Sequence, residues 1–262
     1  MDTDRIDELA KDPRLIPGIF NYCDQWCERC PFTSRCMNYA LGEEECDDPE
    51  SQDIKSQEFW DTLHGIFEAT IEMVMDKAEE MGIDLDAAEF DEITAQQEHV
   101  RETAKEQPCC RAAMTYVRLV DDWFDSTRGL LENKADELES LAQADIPGTK
   151  PTDEAANICD CLDVIRWYQR QIYVKLCRAA GGAIRCELEG LDYAREDADG
   201  SAKVALIGIE RSIAAWAALL PHLPDQEPQI LNLLATLERL LRQVEAAFPN
   251  ARAFRRPGFD DE

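Results

Sequence analysis

Apolar residues recur at the 3.6-residue period of an α-helix over almost the whole stretch from Phe59 to Phe248. No alternation of apolar and polar residues long enough for a β-strand interrupts this pattern, and there is no internal repeat. Abundant Ala, Leu, Glu and Arg, with only 12 Gly and 12 Pro, also favour helix. The sequence therefore predicts an all-α protein, an antiparallel helical bundle joined by short turns, with helix over well more than half of the chain.

The same pattern predicts how the chain is divided. We expect a mobile lead-in over residues 1–13, a four-cysteine metal module over 14–46, the helical bundle over 51–249 and a C-terminal tail over 250–262. The first bundle helix is predicted to bury one apolar stripe, made by Phe59, Leu63, Ile66, Phe67, Ile71, Val74, Ala78 and Met81. Gly129 is expected to break or kink a later helix, and residues 190–201 are expected to form a polar loop.

Four cysteines lie within fourteen residues, at Cys23, Cys27, Cys30 and Cys36, with C-x3-C-x2-C-x5-C spacing. Thiols so close in sequence can converge on one metal centre at little loop-closure cost, and thiolate is the ligand that soft metals prefer. We call these residues the four clustered cysteines. They predict a metal-thiolate site in which Cys36 supplies the closing ligand.

A short helix-turn-helix is the predicted scaffold for this site. On a helix, Cys23, Cys27 and Cys30 occupy positions i, i+4 and i+7 and share one face. Pro31 is expected to end that helix. A second helix is predicted to begin with Thr33 as its N-cap, to carry Cys36 in its first turn and to stop at Gly42.

The spacing favours a [4Fe–4S] cluster and leaves zinc as the alternative. Structural zinc usually takes two C-x2-C pairs that are well separated in sequence, whereas only one such pair is present here, Cys27 and Cys30. A compact run of cysteines with Pro31 directly after one ligand is nearer to the arrangement of iron–sulfur ligands. We expect neighbouring aromatic residues to keep water from such a cluster.

The first three of the four clustered cysteines resemble the C-x3-C-x2-C triplet of radical S-adenosylmethionine enzymes. The resemblance is confined to that triplet, because those enzymes leave one iron open for the cosubstrate and build the site in an α/β barrel. Here a fourth cysteine follows six residues later, and the surrounding pattern is helical throughout.

No other motif indicates catalysis. The remaining cysteines, Cys46, Cys109, Cys110, Cys159, Cys161, Cys177 and Cys186, are interpreted as small buried apolar residues, with contact between the 109–110 and 159–161 pairs as a minor alternative. There is no Gly-rich phosphate loop, no G-x-S-x-G and no H-E-x-x-H. The expected function is a redox role in electron transfer or sensing, and the alternative is a zinc-pinned interaction scaffold without catalytic activity.

The charge of the chain restricts its partners. Asp and Glu number 55 against 27 Lys and Arg, a net charge of −28, and residues 1–100 alone carry 27 acidic and 7 basic residues. Nucleic acid and anionic membranes are therefore poor partners, whereas a basic protein docking on the acidic N-terminal half is plausible. With no secretory signal and no predicted membrane span, we expect a soluble, cytoplasmic protein, in which cysteines stay reduced.

Overall fold

The computed structural model describes residues 3–45, 57–83, 88–190 and 192–260. Within these residues all regular structure is helical, comprising eight α-helices and six short 3-10 helices. The α-helices are α1 (Thr3–Ala10), α2 (Met37–Glu45), α3 (Gln57–Met81), α4 (Ala88–Lys105), α5 (Pro108–Ala144), α6 (Pro151–Glu189), α7 (Asp192–Leu219) and α8 (Glu227–Ala247). The prediction of an all-α protein is confirmed.

The chain divides into two compact units. One unit comprises Met1–Glu98 together with Arg255–Glu262, and the other comprises His99–Phe254. We call them the cysteine-rich unit and the helical unit. The division falls within α4, so the helical unit begins with the last turns of that helix and contains α5 to α8.

Aromatic residues of α5 and α7 form the centre of the helical unit. Trp216 is fully buried and meets Trp123 edge to face, with ring centroids 4.8 Å apart. Its indole N–H donates a hydrogen bond of 3.0 Å to the hydroxyl oxygen of buried Tyr116. Burial raises the pKa of Tyr116 to about 12. The hydrogen bond satisfies two polar groups that would be costly to bury alone.

Helices α6 and α7 approach each other closely because glycine lies at two points of contact. A Cβ added to Gly182 of α6 would lie 2.9 Å from the carbonyl oxygen of Ala194 and 3.2 Å from the Cβ of Ala198. A Cβ on Gly208 of α7 would lie 3.0 Å from the ring of Tyr168. At each of these two glycines, atoms of the facing helix occupy the space that a side chain would need.

This packing corrects two boundary predictions. Residues 190–201 are not a polar loop, because α7 begins at Asp192 and places Ala194 and Ala198 in the buried interface. The chain reverses at Gly190, which ends α6 with φ 68°. Gly129 does not break its helix either, since α5 runs through it to Ala144.

Two predictions concern the N-terminal part. Within residues 1–13, which are predicted to be a mobile lead-in, Thr3–Ala10 form α1 and Leu9 is buried, and mobility of this segment stays a prediction. Among the stripe residues of α3 whose side chains the structure describes, all but Ala78 are exposed, although the helical period predicts burial. Phe67 and Ile71 are each 58% exposed and Val74 is 50% exposed, while Ala78 is buried.

Helix α7 qualifies the expectation that no segment could span a membrane. The stretch Tyr193–His222 is long and apolar enough to do so by length and composition alone, and half of its apolar window is buried within the fold. Helices α6 and α8 pack against α7 in the helical unit. A core helix of this kind has the same composition as a membrane span because both environments exclude water.

We predict that Gly182→Ala lowers the free energy of unfolding by about 1–3 kcal/mol, because the new methyl group meets backbone that must move. The matched control is Gly129→Ala, at an exposed position of α5 with nothing within 4 Å of the added Cβ. Gly129→Ala should raise the free energy of unfolding by about 0.5–1 kcal/mol, because alanine loses less conformational entropy than glycine when a helix forms. Urea unfolding followed by circular dichroism measures both, and equal effects of the two changes would contradict the packing argument.

Candidate metal centre

The four clustered cysteines line one cavity of the cysteine-rich unit. About 310 Å³ of space not taken by atoms lies within it, counted out to its open mouth. The other residues that line it are largely apolar or aromatic: Ile19, Phe20, Asp24, Gln25, Trp26, Thr33, Tyr39 and Phe259. The structure thus brings together all four residues that the sequence predicts as ligands.

The scaffold of the cavity differs from the predicted one. The first three cysteines do not share a face of an α-helix, because the segment is built from two 3-10 turns, Ile19–Tyr22 and Cys27–Arg29, joined by residues without regular structure. Gln25 has φ 56°, a left-handed conformation that an α-helix cannot contain. Cys30 is extended, as expected for the residue before a proline.

The predicted second helix begins later than expected. Thr33 starts a 3-10 turn that ends at Arg35, and Cys36 is extended at φ −112°. Helix α2 begins with the next residue, and the carbonyl oxygen of Cys36 accepts a bond from the N–H of Ala40. Cys36 therefore precedes the helix, and Gly42 lies inside α2 instead of ending it.

Two hydrogen bonds at Arg35 hold the C-terminal end of this cysteine loop, residues 23–36, against the chain before it. The N–H of Ile16 donates to the carbonyl oxygen of Arg35 at 3.0 Å, and the guanidinium of Arg35 donates to the carbonyl oxygen of Arg14 at 3.3 Å. Within the loop, the N–H of Phe32 donates to Sγ of Cys30 at 3.4 Å. An amide directed at sulfur stabilises the thiolate form that a metal requires.

The C-terminal tail contributes one wall of the cavity, through Phe259, which the sequence analysis did not identify as a site residue. Its ring meets Phe32 edge to face, with centroids 5.0 Å apart. Gly258 precedes it at φ 76°, and a Cβ there would lie 2.8 Å from Cδ1 of Ile16. Arg256 fixes the turn by an ion pair of 3.0 Å with Asp260. The Pro-Gly-Phe sequence predicts a turn, but it does not predict that the turn places Phe259 at the cavity.

The electrostatic environment of Cys27 reflects its three neighbours. Burial raises the pKa of its thiol, and the negative charges of Cys23, Cys36 and Cys30 raise the same pKa further, in that order. Cys27 is thus within electrostatic range of the other three clustered cysteines. Without a cation this environment favours the protonated thiol of Cys27, whereas a bound cation would compensate the repulsion.

The four clustered cysteines line the cavity but are not arranged as a metal site. Among the described residues, no group of three or more His, Cys, Asp or Glu side chains is arranged to hold a metal ion as it stands. All ten described cysteines are reduced. The donor set, four soft sulfurs around one partly enclosed space, is the chemistry that a thiophilic metal or cluster needs.

The other cysteines are arranged differently from the predicted alternative. Cys109 and Cys110 are both buried at the start of α5, where Cys110 has Cys177 of α6 as an electrostatic neighbour. Cys161 is buried beside Asn157, whereas Cys159 is exposed. Cys46 lies outside the described residues.

The structure also assembles a polar cluster that the sequence did not reveal. His222 lies 3.2 Å from a carboxylate oxygen of Glu154, whose pKa is lowered mainly by its hydrogen bond to Lys134. The other ring nitrogen of His222 lies 3.1 Å from the side-chain nitrogen of Asn157. Both nitrogens of His222 are thereby engaged, and the cluster joins α5 and α6 to the turn after α7.

Comparison of the chain with protein-family models, with curated proteins and with solved structures finds no match. The argument for function therefore rests on the cavity and its residues.

We predict that metal binding at this cavity strengthens as pH rises. Because the pKa of Cys27 is raised above its usual 9.0, the metal-free thiol holds its proton at neutral pH and a metal must displace it. Titration with Co²⁺ under anaerobic conditions at pH 6.5, 7.5 and 8.5 should show tighter binding at each step, with proton release detected by calorimetry in buffers of different ionisation enthalpy. Affinity independent of pH would contradict this account. The control Cys159→Ser should leave the pH dependence unchanged.

Proposed function

We propose that the four clustered cysteines hold a [4Fe–4S] cluster and that the protein has a redox role, in electron transfer or sensing. The observation that carries the proposal is the lining of one cavity by all four thiols together with aromatic side chains. In this proposal the N-terminal module is the cofactor site and the remaining helices form a supporting bundle.

The spacing of the ligands favours a cluster over a single zinc ion. Structural zinc usually takes two C-x2-C pairs that are well separated in sequence, whereas the four clustered cysteines form one compact run with a single such pair, Cys27 and Cys30. The elemental analysis below decides between the two ligands.

The residues around the cavity suit electron transfer better than catalysis. When bound, a [4Fe–4S] cluster supplies a one-electron redox couple. Four cysteine ligands leave no position for a substrate on the metal. Phe20, Trp26 and Phe259 restrict water at the cavity, and the guanidinium of Arg29 lies 4.0 Å from the ring centroid of Trp26, which orients that wall.

Negative charge near the cavity has two consequences. Glu28 adds to the field that raises the pKa of Cys27, and the same field disfavours adding an electron, so we expect a low reduction potential. The acidic character of residues 1–100 supports a basic protein as redox partner, because opposite charges accelerate encounter.

The proposal is tested by purifying the full chain without oxygen and measuring iron, acid-labile sulfide and zinc. Four irons and four sulfides per chain, with broad absorbance near 400 nm, would support the cluster. Stoichiometric zinc without iron would support the alternative, a structural Cys₄ zinc scaffold for protein interactions. A protein that contains neither iron nor zinc would refute both functions.

A single substitution tests the ligand set. We predict that Cys36→Ser severely reduces metal content and makes residues 17–41 protease-sensitive, because a ligand set with one sulfur missing cannot enclose the metal. The helical unit should remain folded by circular dichroism. The matched control is Cys161→Ser, which also removes a thiol but lies outside the cavity and should retain full metal content. Full metal content in Cys36→Ser would show that Cys36 is not a required ligand.

A second substitution tests the wall supplied by the tail. Phe259→Ala opens the cavity to solvent and oxygen, so we predict faster loss of the 400 nm absorbance in air, several-fold relative to the unchanged protein, with the same initial metal content. Phe254→Ala is the matched control, since Phe254 belongs to the helical unit and does not line the cavity. Equal decay rates for both variants would mean that the tail does not shield the centre.

A further inference from the structure

Helix α3 carries a concentration of exposed apolar side chains. Of the thirteen large apolar residues that are exposed in the described part of the chain, six lie on this helix. Five of them, which we call the α3 stripe, are Phe67, Ile71, Val74, Met75 and Met81. Single exposed apolar residues are ordinary on a protein surface, whereas a contiguous group of them marks a site of association.

The α3 stripe has the geometry of a surface that receives another helix. Phe67, Ile71, Val74 and Met81 follow one another at intervals of four, three and seven residues along the helix. At 100° per residue these positions lie within about 80° of the helix circumference, with Met75 at one edge. A narrow stripe with this mean spacing of 3.5 residues is the seam along which one α-helix packs against another.

The charges beside the α3 stripe indicate the chemistry of its partner. Helix α3 contains seven acidic residues and one lysine. By the same helical period, Glu68, Glu72 and Glu79 lie along the edge next to Met75, and all three are exposed. We call these three residues the acidic edge. A partner helix therefore gains affinity and orientation from Lys or Arg side chains placed opposite the acidic edge.

The same charges disfavour two other occupants. A second copy of the chain would bring two acidic helices together, and like charges at the short distances of a helix pair repel each other. Helices that lie on a membrane surface carry Lys and Arg on their polar face, whereas the polar face of α3 is acidic. A basic protein segment is the occupant that satisfies both the apolar stripe and its charged border.

We propose that the α3 stripe is the docking site of a partner protein that presents a basic amphipathic α-helix. In the complex, the apolar face of the partner helix covers the α3 stripe, and its Lys or Arg side chains meet the acidic edge. Met75 and Met81 have flexible side chains, which adapt to the shapes of the partner residues. The inference goes beyond the redox function proposed above and does not depend on it, because neither the stripe nor the acidic edge contains a metal ligand.

The experiment measures the binding of designed peptides to the full chain by fluorescence anisotropy. The probe is a fluorescein-labelled peptide of about 18 residues, long enough to cover the α3 stripe as a helix, with leucine at the i, i+3, i+4 and i+7 positions and lysine elsewhere. One control peptide has the same composition in an order that forms no apolar face, and a second has glutamate in place of every lysine. We expect the probe to bind about ten-fold or more tightly than either control, with an affinity that falls as salt rises.

A matched pair of variants locates the binding on α3. Ile71→Asp places a charge in the middle of the α3 stripe and should weaken binding of the probe by about ten-fold or more, because that charge would be buried in the complex. The control is Val174→Asp on α6, since Val174 is also a β-branched helical residue and is 59% exposed against 58% for Ile71. Both variants add the same negative charge, so a difference between them reports the apolar contact and not the net charge.

A second pair of variants tests the acidic edge. Glu72→Gln combined with Glu79→Gln should weaken binding of the probe and reduce its dependence on salt, because two opposing charges are removed at the contact. The control combines Glu187→Gln with Glu189→Gln, two exposed positions at the end of α6. The control pair lowers the net charge of the chain equally and should leave the affinity for the probe nearly unchanged.

The proposal is overturned if either control peptide binds as tightly as the probe, or if Ile71→Asp and Val174→Asp bind the probe equally. It is also overturned if sedimentation shows that the unchanged chain self-associates and that Ile71→Asp abolishes this association, since a second copy then covers the α3 stripe. The peptide comparison needs no variant, so a folding defect in a variant does not protect the proposal. Iron and sulfide are measured separately, so failure here is distinct from failure of the proposed cluster.

Discussion

The close approach of α6 and α7 is the constraint on which the helical unit depends. It is possible only because Gly182 and Gly208 leave space for the backbone and side chains of the facing helix. With those helices in contact, α7 presents Trp216 to the aromatic residues of α5, and the indole is buried with its N–H satisfied by Tyr116. The contact of α6 with α5 makes Cys177 an electrostatic neighbour of Cys110, although the two residues are 67 positions apart in the chain. The arrangement of polar groups in this unit thus follows from helix packing at positions without side chains.

In the described part of the cysteine-rich unit, the four clustered cysteines line one cavity. The cysteine loop contains no α-helix from residue 23 to residue 36, and its C-terminal end is held by the bond from the N–H of Ile16 to the carbonyl oxygen of Arg35. The turn at Gly258 brings Phe259 onto the loop and completes a wall that the loop itself does not supply. Because thiolates at this spacing repel one another, a bound cation would contribute directly to the folding of this unit. That coupling is expected of a metal site built from a short loop.

Neighbouring charge controls the ionisation of Cys27 in the cysteine-rich unit. Burial and then the charges of Cys23, Cys36 and Cys30 raise the pKa of its thiol. A charged neighbour disfavours a second thiolate, and a bound cation would offset that repulsion. This environment suits a thiol that gives up its proton when a metal binds.

The amino-acid sequence by itself determined the helical class, since the apolar period is local, and it identified the four residues that line the cavity, because ligand spacing is also local. The sequence did not determine the conformation of the cysteine loop: helical spacing predicted one shared face, but Gln25 adopts a left-handed conformation and Pro31 keeps Cys30 extended. The sequence also did not predict where α7 begins. Ala194 and Ala198 lie near its start, and only the tertiary structure places Gly182 opposite them. The position of Phe259 at the cavity and the proximity of Cys110 and Cys177 likewise depend on the tertiary structure, because each joins residues distant in sequence. The periodicity of a segment indicates which face of a helix is apolar, but the packing of the fold determines whether that face is buried. Helix α3 shows the difference, because Phe67, Ile71 and Val74 of its apolar stripe are exposed.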